Sequence, residues 1–454
     1  MKFFKILLIP LCIGIASMFY FPFELRALPL GMNTKKIMAA AALVLLLFKF
    51  AKEHELKTDK SFLYISILAG LVSFCGMFSV TYNSTEDYAY ATYITSCWVW
   101  WGAAYTICQV IKWIHGKVTG WHIMSYLTAV CVFQCIIALM IDRNRAVKHF
   151  INSIVFQEDL LYPGHIRRLY GIGAALDVAG IRFSAVLIMI IFFLANAHSP
   201  KRWYTYVICL SAFVFIAVIG NMVARTTLVG LLLSIVYLVY SSWNKKENTG
   251  LNYRKIWGWL GGFSLLAIPI CIWYYQHNAA FHDDLRFAFE GFFSWAEHGT
   301  FSYSSNDTLR DMYVWPDNAK TWIIGDGYFD NPYGNDPYYT GDIVSGYYKG
   351  TDVGYLRFIY YFGVVGLLMF SFYFIEVGRT CMRHFPKWKV MFLFLLLLHF
   401  AVWAKVSTDL FLAFAPFLCL DYDNEDEDED ESEDENDNEY EDESENRLFD
   451  SRDL

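Results

Sequence analysis

The sequence predicts an all-α polytopic membrane protein of about twelve transmembrane helices, with one large outer loop between the ninth and tenth spans. Three observations predict it. Apolar runs near 20 residues recur along a 454-residue chain that is 56% hydrophobic, with mean hydropathy +0.32; a helix needs such a run to cross a bilayer. These runs are too long for barrel strands, and lipid offers the backbone no outside partner, so they are helices. Finally, residues 276–352 hold 77 residues with no span-length apolar run.

The spans fall at about 3–21, 37–50, 61–80, 91–111, 121–141, 175–197, 203–221, 226–243, 256–275, 353–377, 389–404 and 406–420. The last two are short and could form one bent hairpin. Lys2 and Lys5 precede the first run as in a signal peptide, but Tyr20-Phe21-Pro22-Phe23 offers no small-residue cleavage site, so the run reads as an uncleaved span. Segments assigned to the cytoplasm hold 18 basic residues, and the short outer turns hold five: Arg26, Lys35, Lys36, Arg225 and Lys405. By the positive-inside rule both termini are cytoplasmic and the loops 142–174 and 276–352 face outward, as in a multi-pass protein.

The chain divides into a transmembrane domain, residues 1–420, and a tail, 421–454. The tail carries 20 acidic groups against Arg447 and Arg452, so the formal charge of −9 conceals a body of 34 basic and 25 acidic residues. A basic body suits anionic lipids or lipid-linked substrates, as well as ordinary loop topology. The tail has almost nothing to bury and repels itself, so disorder is expected, either as a docking segment or as a solvated run. The ten cysteines fall mostly in apolar spans, where Cys acts as a small hydrophobe. No His/Asp cluster has metal-ligand spacing. No P-loop or strand–GxGxxG–helix pattern argues for nucleotide binding, and nothing suggests a nucleic acid.

Candidate chemistry lies on the outer side. Arg167 and Arg168, next to Gly171 and Gly173, suit phosphate oxygens or else lipid headgroups. Arg182 lies inside a span, facing a cavity or snorkelling to the interface. Arg225 follows a very short outer turn beside a helix start, where guanidinium and free N–H groups suit an anion; it could also be a plain topological charge. The large loop carries Arg310, Tyr313, Trp315 and Asp326, with aromatic residues throughout. Flat rings beside Asp and Asn suit sugars; an interfacial belt, which would cluster near span ends, is the other reading. Asp352 stands where the tenth span begins, as an N-cap, as a carboxylate able to take a proton from a hydroxyl, or as both. Arg357 lies just over a turn deeper.

Over most of residues 140–370 these elements, in this order, resemble the O-antigen ligase and O-antigen polymerase superfamily. Arg225 matches the arginine that opens a span after a short turn. Arg310 with Trp315 matches the arginine early in the large loop, and Gly325-Asp326-Gly327 matches the family's Gly-x-Gly. Ligases carry a histidine at the loop's end, roughly ten residues before Gly-x-x-Gly. Here Gly363-Val364-Val365-Gly366 stands at that spacing, but Asp352 replaces the histidine, which favours a polymerase.

The resemblance implies a metal-independent glycosyltransferase that needs no cofactor. It would join sugar repeat units carried on undecaprenyl diphosphate into a surface polysaccharide at the periplasmic face. Arg225 and Arg310 would neutralise the leaving diphosphate and Asp352 would orient or deprotonate the acceptor hydroxyl. Arg167, Arg168, Arg182, Arg357, Tyr313, Trp315 and Asp326 would bind substrate. Its partners would be the lipid-linked glycan, membrane lipid and a chain-length regulator. A ligase acting on finished glycan, a flippase for lipid-linked oligosaccharide and a scaffolding protein are the competing classes; a flippase should show helix-breaking Gly or Pro in two related halves, which the sequence lacks.

Overall fold

The computed structural model describes residues 8–29, 31–54, 59–156, 169–195, 203–243, 253–300, 302, 309–332 and 346–420. The acidic tail lies outside the described residues, as do Arg167 and Arg168. The architecture is helical. In order, α1 is Ile9–Tyr20, α2 Thr34–Glu53, α3 Lys60–Asn83, α4 Tyr93–His115, α5 Gly120–Arg143, α6 Arg145–Ile154, α7 Leu176–Ala195, α8 Trp203–Val223, α9 Thr227–Trp243 and α10 Tyr253–His277. The large loop carries α11 (Ala279–Ala288), α12 (Glu290–His298) and the short α13 (Ala319–Ile323). The chain then forms α14 (Gly354–His384), α15 (Lys389–Val402) and the single turn α16 (Phe411–Phe414).

Polar residues set several helix starts. Asn33, Asp59, Thr119 and Asn144 accept the backbone N–H of Lys36, Ser61, His122 and Ala146, at 3.2, 3.2, 3.3 and 2.9 Å. Such caps satisfy donors that the first helical turn leaves unpaired. Two-residue strands β1 (Glu24–Leu25) and β2 (Val155–Phe156) pair antiparallel, tying the end of α1 to the end of α6.

Within the described residues, each of the first eleven predicted spans falls on a helix. Six helices among those residues are long and apolar enough to cross a membrane: Lys60–Asn83, Gly120–Arg143, Leu176–Ala195, Trp203–Val223, Ile256–His277 and Gly354–His384. The central one is α7, nearly all of whose residues are buried, against α9, α8, α15 and α5.

The twelfth predicted span, 406–420, departs from a helix. It has no regular secondary structure from Val406 to Leu410, where Thr408 N–H turns back to the Val406 carbonyl at 3.1 Å, then forms α16 and a 3₁₀ turn at Phe417–Cys419. Ser407, Thr408 and Asp409 favour local side-chain bonding over helix, and an Asp409 carboxylate oxygen accepts Phe411 N–H at 3.1 Å. This stretch starts against Gly354 at the head of α14. It ends with the Phe417 ring 5.9 Å from Phe385 and 5.8 Å from Trp388, at the α14–α15 turn. Irregular backbone of this kind is tolerated at membrane depth when protein encloses it, and most of these residues are buried.

A second irregularity breaks α14. Phe362 (φ −138°, ψ 20°) and Gly363 (φ 69°, ψ −178°) leave helical geometry, and a segment of the large loop docks into the break. The backbone N–H groups of Asp326 and Gly327 donate to the carbonyls of Tyr360 and Tyr361 at 2.6 and 3.1 Å. The Ser79 hydroxyl donates to the Tyr361 carbonyl at 2.7 Å. Asn83 and Thr85, at the end of α3, donate to the carbonyls of Gly325 and Gly327 at 3.1 and 2.9 Å. Glycine is required on both sides of the joint. Gly363 has positive φ, and a β-carbon there would strike the Ile323 carbonyl. Gly325 (φ 87°) would place a β-carbon 2.6 Å from the Tyr361 carbonyl.

Gly363→Ala should therefore lower the stability of the purified chain by about 1–3 kcal/mol from backbone strain alone, with the clash adding to it. Gly258→Ala, on α10 with open space around it, should not. Thermal unfolding of both variants in the same detergent checks the contrast.

Candidate functional site

The head of α14 meets the closing end of the large loop, and charge collects there. Asp352 lies two residues before α14. It is not the N-cap, contrary to the capping reading of the sequence: that position is Val353, with no side-chain cap, and the Val353 N–H goes to the Thr351 hydroxyl at 3.3 Å. Asp352 is thus left for other work. Its side chain is 18% exposed, and one buried carboxylate oxygen has no hydrogen-bond partner.

The nearest cation is Arg357, with Nη1 3.7 Å from that oxygen. Arg357 is buried and firmly placed. It donates to Asp330 at 2.6 Å, to the Ser407 hydroxyl at 2.8 Å and to the Phe329 carbonyl at 3.2 Å. Its guanidinium lies 3.7 Å over the Phe329 ring and 4.4 Å over the Tyr347 ring. Lys405 pairs with Asp177, at the start of α7, at 2.9 Å. Burial is the main influence on Asp352 and raises its carboxyl; Arg357, Lys405 and a hydrogen bond from Tyr347 pull it down while Asp177 pushes it up, and it comes to about 7. A carboxylate that titrates near neutrality can accept a proton from a hydroxyl.

The other residues singled out in the sequence take varied positions. Asp326 accepts from Lys320 at 2.7 Å, Thr321 at 2.7 Å and Tyr348 at 3.2 Å, so it braces the loop against the α14 break. Trp315 is exposed and stacks on Trp322, with centroids 6.1 Å apart and planes 14° from parallel. Tyr313 donates to the Ala404 carbonyl at 2.9 Å. Together they make an open aromatic shelf between the loop and the end of α15. Arg310 is exposed, and its guanidinium has no ion pair among the described residues.

Arg225 belongs to a different place. It pairs with Glu290 at 2.7 Å, donates to the Phe287 carbonyl at 2.9 Å and stacks 3.9 Å over the Phe287 ring. These contacts form one wall of a cavity of about 450 Å³, which Arg286, Glu297 and His298 also line. Arg286 and Glu297 are joined by two 2.7 Å hydrogen bonds. Among the described contacts, Asp352 touches Arg357 but neither Arg225 nor Arg310.

Sequence reasoning missed Asp330, Asp177, Ser407 and Glu290 as partners of these charges. Each is an ordinary polar residue in a loop or helix start, and only the fold brings it to its arginine or lysine. Among the described residues no group of three or more His, Cys, Asp or Glu could hold a metal ion. Compared with family models, curated proteins and solved structures, the chain matches none.

Since folding raises the Asp352 pKa above the ordinary carboxylate value of 3.8, the folded state binds this proton more tightly than the unfolded chain. Its ionisation then costs nothing below 3.8, costs progressively more as pH rises toward 7, and levels off above. Asp352→Asn should gain thermal stability relative to the unsubstituted chain between pH 4 and 7, the gap staying constant at higher pH; melting curves across that range test it.

Proposed function

We propose that the chain is a membrane glycosyltransferase that polymerises undecaprenyl-diphosphate-linked repeat units on the outer face of a bacterial inner membrane. The observation that carries this reading is Asp352. It is a half-buried carboxylate held near neutrality beside a fixed guanidinium at the head of a long apolar helix, with one buried oxygen that has no hydrogen bond. In this reading Asp352 takes the acceptor hydroxyl's proton as the hydroxyl attacks the anomeric carbon, and the lipid diphosphate leaves. Arg357 holds Asp352 in place, and the Trp315–Tyr313 shelf covers a sugar face.

Twelve crossings with both termini cytoplasmic are part of the proposal. The path of residues 406–420 from the head of α14 to its far end supports counting that stretch as the last crossing. Arg310, exposed and with no ion pair among the described residues, is open to an anionic leaving group. Arg225 is engaged with Glu290, so a diphosphate must compete with that carboxylate to reach it.

The test is a deletion strain complemented with Asp352→Asn or Arg310→Ala at normal membrane level. Loss of the general base should slow chain growth by about 10²–10⁴-fold, and loss of a charge-stabilising donor by about 10²–10³-fold. Gels of surface glycan should then show single repeat units. Long chains retained on the carrier would indicate a ligase and units trapped inside a flippase; unchanged glycan in both variants would remove the assignment.

A further inference from the structure

Next to the Asp352 site, three ionisable groups from three segments converge. Lys35 is the second residue of α2, Arg182 lies about two turns into α7 and Asp409 sits near the end of the non-helical stretch before α16. Each is within electrostatic reach of the other two. Lys35 and Arg182 are enclosed by protein yet keep accessible surface. Neither side chain has an ion pair or hydrogen bond among the described residues. The Lys35 ammonium stands 5.0 Å from the Trp100 ring centre and the Arg182 guanidinium 5.6 Å from that of Phe21. The backbone carbonyl of Arg182 accepts the Tyr20 hydroxyl at 3.1 Å.

Two enclosed cations against one carboxylate leave an excess positive charge, and such charge is strongly disfavoured unless a partner or an aqueous cavity compensates it. The neighbouring stretch presents a polar edge. Burial alternates along it: Val406, Thr408 and Leu410 are buried, while Lys405, Ser407 and Asp409 keep accessible surface. The accessible set meets charge at each step, with Lys405 on Asp177, Ser407 on Arg357, and Asp409 within electrostatic reach of Lys35 and Arg182.

We propose that Lys35 and Arg182, faced by the polar edge of residues 405–409, bind a diphosphate group, and that Asp409 is the resident counter-ion which that group displaces. A guanidinium fork takes two oxygens of one phosphate and an ammonium takes the other as a point charge. A phospholipid phosphate, with one charge, needs only one of the two cations. Trp100 and Phe21 give the site apolar walls, which suits a diphosphate on a lipid. That the diphosphate is lipid-linked rests on the function proposed above; the site itself requires no glycosyl transfer.

The experiment uses the full chain in nanodiscs with farnesyl diphosphate as the probe, and inorganic pyrophosphate and added phosphatidylglycerol as competitors. Lys35→Gln and Arg182→Gln should each weaken farnesyl diphosphate binding by about tenfold or more. Lys35→Arg should retain it, and Asp409→Asn, which keeps the shape and removes the competing charge, should tighten it several-fold. Equal affinity in all variants, weaker binding by Asp409→Asn, or displacement by phosphatidylglycerol as effective as by pyrophosphate would overturn the site. If Lys35→Gln misfolds, the Asp409→Asn result alone decides. Because the readout is binding, it stands or falls separately from glycan polymerisation.

Discussion

The arrangement rests on a joint between backbone and backbone. A break at Phe362 and Gly363 turns two carbonyls of α14 outward, and the Gly325–Gly327 turn supplies the N–H groups that meet them. Carbonyls left unpaired inside an apolar bundle are costly, so the break and the turn depend on each other. Ser79, Asn83 and Thr85 fasten α3 to the same point. The joint fixes the large loop at its middle, and the loop then closes over the head of α14 with Asp330 on Arg357.

With the loop held there, the polar groups sort by element. The non-helical stretch after α15 serves Asp177 and Arg357 in turn along one edge, while its other edge packs into the core. A helix over 405–409 would scatter those side chains around its axis; here accessible and buried positions alternate instead. The departure from helix over residues 406–410 is what lets charged partners from α7 and α14 share one wall. The cap formed by α11 and α12 holds Arg225 through Glu290 at a separate cavity.

Much of the helical plan was legible in the sequence because apolar length is a direct readout of a bilayer's thickness. The starts of α2, α3 and α5 are set by the caps Asn33, Asp59 and Thr119, which a reading of apolar length alone passes over. The segment 406–420 misled because its apolar content satisfies a span, whereas its conformation is decided by Ser407, Thr408, Asp409 and the core around them. At the site, Asp352 and Arg357 stood out as charges at a span edge. Asp326 stood out too, but its carboxylate braces Lys320, Thr321 and Tyr348, a task that depends on contacts across the fold. The pairing of Arg225 with Glu290, 65 positions apart, has no local signature.

The Gly363 notch has one more consequence. Its obstacle is the peptide carbonyl of Ile323, which every residue type at that position would carry. Trimming a neighbouring side chain can open room in an ordinary crowded core, so second-site suppressors arise there readily. At this notch no replacement at position 323 removes the obstruction, and rescue would demand that the whole turn shift and abandon its bonds to Tyr360 and Tyr361. A bare α-carbon at 363 is therefore a requirement that no compensating partner can relax.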